Sequence, residues 1–342
     1  MGYYCGIDLG KKETTICIIG KNRQVIWEEQ VSTTKSGIRG VMQRYRKVEC
    51  IVEASPLAEW LCTEVEKFGH KITVVCPRKT KAALSGQAKR KTDKRDARGL
   101  SELCRSGWYE SVHRKSAAAR EMRSYMTARK QLVECSNSLA SSIRGILRAQ
   151  GIKLESTNDA PDFESQVIKA MKKLPPLAAR GVKELLIAFR QIYLQQRALY
   201  QELNKHARGS EIAERLMTIP GVGPATAAAF VATIDDPHRF PDAEKVSAYL
   251  GLTPSVYQSG ETEYRGRITK TGDKLLRWLL IEAAHILLTR SKSTCDLKRW
   301  GLKLQAAKGT GKARVAVARR LCGIMWKLWK DQQTFNPEAM AA

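Results

Sequence analysis

No apolar run in the 342-residue chain approaches the roughly 20 residues that a membrane-spanning helix needs, and the first residues lack a secretion-signal pattern. The expectation is therefore a cytoplasmic protein with no membrane partner. Histidine is scarce, five in all and scattered, and no two of the nine cysteines fall in Cys-x-x-Cys spacing, so a zinc site is not expected. Several cysteines sit in apolar segments and their number is odd, which reads as reduced, buried thiol. Gly309-Thr-Gly-Lys lacks the spacing of a phosphate-binding P-loop, so no ATP is expected there. Acid is also in short supply: 34 Asp and Glu stand against 59 Lys and Arg, a formal charge of +25. A surplus of that size points to a polyanionic partner, most simply nucleic acid. The length allows two or three domains.

The chain is best organised around Lys89 to Leu100. Asp93 and Asp96 lie three residues apart, so a helix starting at Thr92 or Asp93 puts both carboxylates on one face of its first turn. Five cations surround them: Arg90, Lys91, Lys94, Arg95 and Arg98. Acids that hold a divalent cation, set among bases that hold a polyanion, suit chemistry on a phosphate chain. The plainer alternative is a helix start whose dipole favours acids, within a solvated charge run.

Three short strands are expected at 3–9, 14–20 and 24–30, paired as an antiparallel meander. A helix at 36–47, a strand at 49–54, a helix at 57–68 and a strand at 71–76 follow, ahead of the helix carrying Asp93 and Asp96. That order describes an α/β, RNase H-like domain over 1–112. Asp8 and Glu53 fall in strands that are otherwise apolar, where an ionised acid costs several kcal/mol unless it is paired or bound to metal. A core ion pair with Arg or Lys is the alternative for each.

After an exit segment from Trp108 to His113, apolar residues recur every three or four positions over 116–150 and again over 178–207. A polar, proline-marked break separates the two stretches. The region 113–208 is read as a long helical pair, coiled-coil-like, serving as an arm or oligomerisation element. The remainder, 209–342, is expected to be mainly α. Ile219-Pro-Gly-Val-Gly-Pro-Ala-Thr resembles the turn of a helix-hairpin-helix, in which Gly221 and Gly223 would let backbone N–H groups approach a phosphate. Ser259-Gly260 falls in a polar loop where a hydroxyl can be presented to a substrate; an ordinary loop serine is the alternative. Arg265, Arg267, Lys270, Lys274 and Arg277 follow closely and could hold phosphate oxygens. A buried helix is expected over 275–288, and the tail over 303–330 is expected to hold a basic amphipathic helix after Gly309-Thr-Gly-Lys.

Six ordered motifs between Asp8 and Arg277 together resemble the IS110 family of insertion-sequence transposases, the bridge-RNA-guided recombinases. Toward the N-terminus they are Asp8, Glu53-Ala54-Ser55 and Thr92-Asp93-Lys94-Arg95-Asp96-Ala97. Toward the C-terminus they are Ile219 to Gly223, Gly251-Leu-Thr-Pro with Ser259-Gly260, and Lys270-Thr-Gly272 with Leu276-Arg277. Pro56 departs from the pattern, which commonly has Gly there; it could shift the loop beside Glu53 without removing the carboxylate. The resemblance implies that Asp8, Glu53, Asp93 and Asp96 form the Mg²⁺-binding tetrad of a RuvC-like domain, and that Ser259 is the nucleophile of a C-terminal serine transposase domain. It further implies target and donor DNA, a structured non-coding bridge RNA that reads sequence, a tetramer built as a dimer of dimers, and action at the bacterial nucleoid.

Two other enzyme classes share parts of this signature. A RuvC-like nuclease or junction resolvase would use the same acids on water and would not need Ser259. An actin-like kinase or ATPase would share Gly-Ile-Asp-Leu-Gly at 6–10, but no second Asp-x-Gly-Thr-type loop is present. A non-enzymatic nucleic-acid scaffold is a third reading; it would tolerate loss of all four acids.

Overall fold

The computed structural model describes residues 2–84, 92–157, 159–259 and 262–338; of residues 257–259, 262, 263 and 265 the backbone alone is described. The chain forms two compact units, residues 1–115 and 116–342. The helical middle, expected as a separate region over 113–208, therefore belongs to the same unit as the C-terminal residues, and the first unit runs three residues past its expected end.

The first unit is a mixed α/β layer structure. Strands β1 (Tyr3–Leu9), β2 (Glu13–Gly20) and β3 (Val25–Ser32) form the antiparallel meander. Helix α1 (Lys35–Met42) leads to β4 (Val48–Glu53), and α2 (Ala58–Glu66) to β5 (Lys71–Val75). Both later strands run parallel to β1, giving the sheet order β3-β2-β1-β4-β5. Helices α3 (Pro77–Leu84) and α4 (Asp93–Ser106) complete the unit. The expected order of elements is the one observed, with α3 added.

Strand alternation assigns the faces. Cys5, Ile7, Ile16, Ile18, Cys50 and Val52 point into a core closed by Ile38 of α1 and Leu61 of α2. Tyr4, Cys17, Ile19 and Ile51 point the other way, against Ala97, Leu100 and Cys104 of α4. Helix α1 stops at Met42 instead of continuing to 47, and buried His70 secures the join. Its Nδ1 accepts from the Val48 N–H at 3.2 Å, and its Nε2 donates to the Met42 carbonyl at 2.9 Å. One scattered histidine is thus a structural link.

The second unit opens with α5 (Ala117–Ala149), α6 (Ala160–Met171) and α7 (Pro176–Arg208). Helices α5 and α7 lie antiparallel: the Tyr125 hydroxyl near one end donates to the Leu199 carbonyl, while Ile143 and Leu147 meet Val182 and Phe189 at the other. Phe163 of α6 fills the same core and meets Phe189 edge to face. Helices α8 (Glu211–Met217), α9 (Pro224–Ile234) and α10 (Ala243–Tyr249) follow, then the hairpin β6 (Pro254–Ser259) and β7 (Thr262–Ile268). Helices α11 (Lys274–Thr289), α12 (Asp296–Lys308) and α13 (Thr310–Lys330) close the chain. Phe230 of α9, Leu280 and Leu287 of α11, and Leu321 and Met325 of α13 are fully buried in one core. The basic amphipathic helix expected in the tail after Gly309 is α13, and Gly309, at φ +82°, separates it from α12. All nine cysteines are unpaired.

Candidate active site

The backbone places each of the four acids of the first unit on a strand or helix of known register. Asp8 lies on β1 two positions after Gly6, so both face α4. A Cβ on Gly6 would lie 2.2 Å from the Ala97 carbonyl oxygen and 2.3 Å from the Ser101 nitrogen, so strand and helix backbones nearly touch there. Tyr4 packs among Leu100 and Cys104 further along the helix, while Gly6 meets Ala97 to Ser101. Continuing that progression, Asp8 points toward the first turn of α4. That turn carries Asp93 and Asp96, with Thr92 as the cap accepting from the Arg95 N–H at 3.4 Å.

Glu53 arrives from the neighbouring strand. Strands β1 and β4 pair in parallel through Ile7 and Val52, so the next positions in register are Asp8 and Glu53. Ile51 faces α4, and Glu53, two residues on, faces the same side. The Thr80 hydroxyl of α3 donates to the Glu53 carboxylate. Nothing in the sequence marked Thr80, which is buried and reaches Glu53 across 27 positions. Asp93 is exposed; Asp8, Glu53 and Asp96 are half-buried.

Four carboxylates and no sulfur or imidazole make a donor set suited to a hard divalent cation such as Mg²⁺. Among the described residues, however, no three or more His, Cys, Asp or Glu stand together as a ready-made metal cluster.

The surrounding cations divide. Arg90 and Lys91 lie outside the described residues, while Lys94 and Arg95 are exposed on the first turn of α4. Arg98 makes a two-pronged ion pair with Glu28 of β3, at 2.5 and 2.7 Å, which holds the guanidinium above its usual pKa. It braces α4 against the edge of the sheet.

In the second unit, Ser259 is not in an open loop: its backbone ends β6, paired with Thr262 of β7. The Ser259 and Arg265 side chains, like residue Gly260, lie outside what is described. The base of the hairpin is a backbone clasp built from the sequence motifs. A Cβ on Gly272 would lie 2.0 Å from the Tyr249 carbonyl oxygen, and one on Gly251 would lie 2.4 Å from the Thr271 nitrogen. Both glycines have positive φ, so only glycine fits. The Lys270 N–H donates to the Gly251 carbonyl at 3.1 Å, and the Thr269 N–H to the Thr253 carbonyl at 3.0 Å. Arg277, expected to hold phosphate, is instead 8% exposed and donates to the Leu250 and Thr271 carbonyls at 2.9 and 2.7 Å. It locks the clasp. Arg267, Lys270 and Lys274 are exposed.

The turn between α8 and α9 also divides its glycines. Gly221 has φ +91° and packs against the α11 backbone, where a Cβ would lie 2.5 Å from the Ala283 carbonyl oxygen. Its role is close packing, in place of the expected phosphate contact. Gly223 is the cap residue just before α9 and has open space where a side chain would be.

Two family profiles match the chain. One, described as a transposase of the DEDD type found in IS110, covers residues 5–150; the other, the transposase IS116/IS110/IS902 family, covers residues 213–298. The chain is similar to a probable family 20 transposase of Pseudomonas aeruginosa, 25% identical over 336 residues, covering 97% of this chain and 98% of that protein. It is also 28% identical to the transposase for insertion sequence element IS1111A of Coxiella burnetii, covering 97% and 90% of the two chains. A third relative, the transposase for IS1328 of Yersinia enterocolitica, is 24% identical over 97% of this chain and 98% of that one. An α/β unit joined to a mainly helical one is here a DNA transposase, an enzyme that recombines DNA. The chain belongs to the IS110 family of insertion-sequence transposases. Membership brings with it the RNase H-like class for the first unit and dependence on a divalent metal in general terms. No helix among the described residues is long and apolar enough to cross a membrane.

Proposed function

We propose that this transposase cuts and exchanges DNA strands through Ser259, assisted by Mg²⁺ held by Asp8, Glu53, Asp93 and Asp96, and guided by a structured non-coding RNA. The observation that supports the reading is the parallel pairing of β1 and β4 as far as Ile7 and Val52, with Asp8 and Glu53 the next residue of each strand and Asp93 and Asp96 in the first turn of α4. When bound, the metal would neutralise charge on the scissile phosphate and ease loss of a proton from the attacking hydroxyl.

The chain's own residues supply the rest. Ser259 Oγ attacks the phosphorus, a P–Oγ bond forms, and the bond from phosphorus to one deoxyribose oxygen breaks. The proton lost by Oγ is balanced by the one gained on the departing oxygen. One phosphate ester replaces another, so the bond energy is kept and a hydroxyl of a second strand can reverse the step without ATP. Thr80 orients Glu53 through its hydrogen bond, and the exposed cations of α4 and of β7 to α11 hold the DNA backbone. Target and donor duplexes and the bridge RNA would be held in a tetramer arranged as a dimer of dimers.

The test is a search for a covalent protein–DNA adduct. Purified protein, its flanking RNA, Mg²⁺ and junction DNA are reacted, denatured, digested and mapped by mass spectrometry. A phosphodiester mass on the Ser259 peptide is expected, and it should vanish in Ser259→Ala and in Asp93→Ala. Cut DNA with no adduct, and cutting undiminished in Ser259→Ala, would replace this reading with a hydrolytic nuclease.

A further inference from the structure

The last two helices carry a concentration of charge that no step above uses. Between Asp296 and Lys330 the chain has ten Lys and Arg and one acid. Arg299 pairs with that acid, Asp296, and Arg319 pairs with Glu244 of α10 at 3.2 Å. Among the described residues the other eight form no ion pair. Like charges gathered on one helical hairpin repel each other, a cost that a polyanionic partner relieves.

The hairpin also has a place for that partner. A groove of about 810 Å³ runs between α10 and α13, with Trp300 of α12 on its wall and Arg320, Lys327 and Lys330 along it. Three acids line it too. Glu244 is offset by Arg319, the Asp242 carboxylate accepts from the Lys245 N–H at 2.8 Å as the cap of α10, and Asp331 sits at the lip.

The two tryptophans decide which part of a nucleic acid would be met. Trp326 is buried, with its indole N–H tied to the Pro237 carbonyl at 2.8 Å, and Lys330 Nζ lies 4.7 Å from its ring centre. The Arg320 guanidinium covers Trp300 at 4.2 Å. Cations, and not ring faces, are therefore what the groove presents. Bare aromatic faces would stack unpaired bases; cations fixed over rings contact phosphates.

We infer that the α10–α13 groove is a second DNA-binding surface, which takes the phosphate backbone of duplex DNA without reading its sequence. It is independent of Ser259 and of the acid tetrad.

The experiment measures binding of the full chain to a mixed-sequence duplex by fluorescence anisotropy across a salt series. In Arg320→Gln/Lys327→Gln/Lys330→Gln, loss of three phosphate contacts should make the slope of log K against log salt shallower by about 2.7, at about 0.9 per contact. The charge-keeping triple Arg320→Lys/Lys327→Arg/Lys330→Arg should hold the wild-type slope. Lys169→Gln/Lys172→Gln/Lys173→Gln, on the exposed end of α6 with the same change in net charge, should hold it also. Glu244→Gln, at a site whose side chain is 74% exposed, releases Arg319 and should tighten binding several-fold without unfolding risk. An unchanged slope in the first triple overturns the inference, as does an equal loss in the α6 triple or no gain in Glu244→Gln. A loss seen with structured RNA of equal length but not with duplex DNA overturns it too.

Discussion

Replacing Gly6 with alanine should strike stability and chemistry together. The added Cβ would sit 2.2 Å from the Ala97 carbonyl oxygen, 2.3 Å from the Ser101 nitrogen and 2.7 Å from Leu100 Cβ. Ordinary contacts between such atoms fall near 3.5 Å, so α4 must retreat from β1 by about 1 Å. Two of the three clashing atoms are backbone, and no rotamer change relieves them. Overpacking of this kind costs about 1–3 kcal/mol, which lowers the melting temperature by about 4–12 °C at roughly 4 °C per kcal/mol. The same retreat carries Asp93 and Asp96 away from Asp8. A 1 Å error in a reacting geometry costs on the order of 100-fold in rate, so strand exchange should fall by about that much even where the variant is fully folded. The assays are thermal unfolding of the full chain and strand exchange well below the new midpoint. Gly40→Ala in α1 is the control: its Cβ would meet nothing within 4 Å, and it should gain about 0.5–1 kcal/mol. A Gly6→Ala protein as stable as wild type, or destabilised yet fully active when folded, would refute the account of the α4 position.

Thr80→Val should remove about 1–2 kcal/mol with the hydrogen bond to Glu53, and should raise the Mg²⁺ concentration for half-maximal strand exchange about tenfold or more. A merely structural Thr80 would leave that midpoint unmoved. Arg277→Met should cost about 3 kcal/mol by stranding the Leu250 and Thr271 carbonyls, while the salt dependence of DNA binding by the folded variant stays as in wild type. Burial pushes the Cys62 thiol up to about 11 and the Cys104 and Cys322 thiols up to about 12, against an ordinary 9.0. The folded state therefore keeps protons that the unfolded chain gives up, so this stability is complete below pH 9 and is lost as pH rises toward 11–12. Urea midpoints at rising alkaline pH should fall, and less steeply in Cys322→Ala; an identical decline in both proteins would contradict the assignment to the thiol.

Much of the first unit was legible because strand period and turn residues carry it. Alternation placed β1, β2 and β4 to within a residue or so, and Thr92 announced the start of α4. The β6–β7 hairpin was not legible. Val256 and Tyr264 are 56% and 65% exposed, so the hairpin lacks the apolar face that would mark its strands, and Ser259 read as loop. Arg277 was misread for a related cause. Its neighbours Arg267, Lys270 and Lys274 are exposed, and nothing local distinguishes a basic residue on the buried side of α11 from one on its surface. Thr80 was invisible because its partner is 27 residues away. Register and burial are properties of the folded chain, and a motif reports neither.

That difference changes what the C-terminal signature means. Gly251, Gly272 and Arg277 stand in the motif with Ser259, yet they contact backbone: two glycines let the segments on either side of the hairpin touch, and one buried guanidinium ties both sides. A hairpin with little apolar burial of its own cannot hold a position by packing, since a lone two-stranded ribbon is marginal in water. Its direction must then be fixed at its base, where Gly251 and Gly272 meet backbone atoms with no room for a larger residue and Arg277 bonds two carbonyls. A nucleophile at the end of β6 inherits that direction, since β6 extends from the clasp to Ser259 in six residues. The motif thus joins one residue proposed for chemistry to several that aim it, much as Gly6 and Thr80 set the direction of the acids in the first unit.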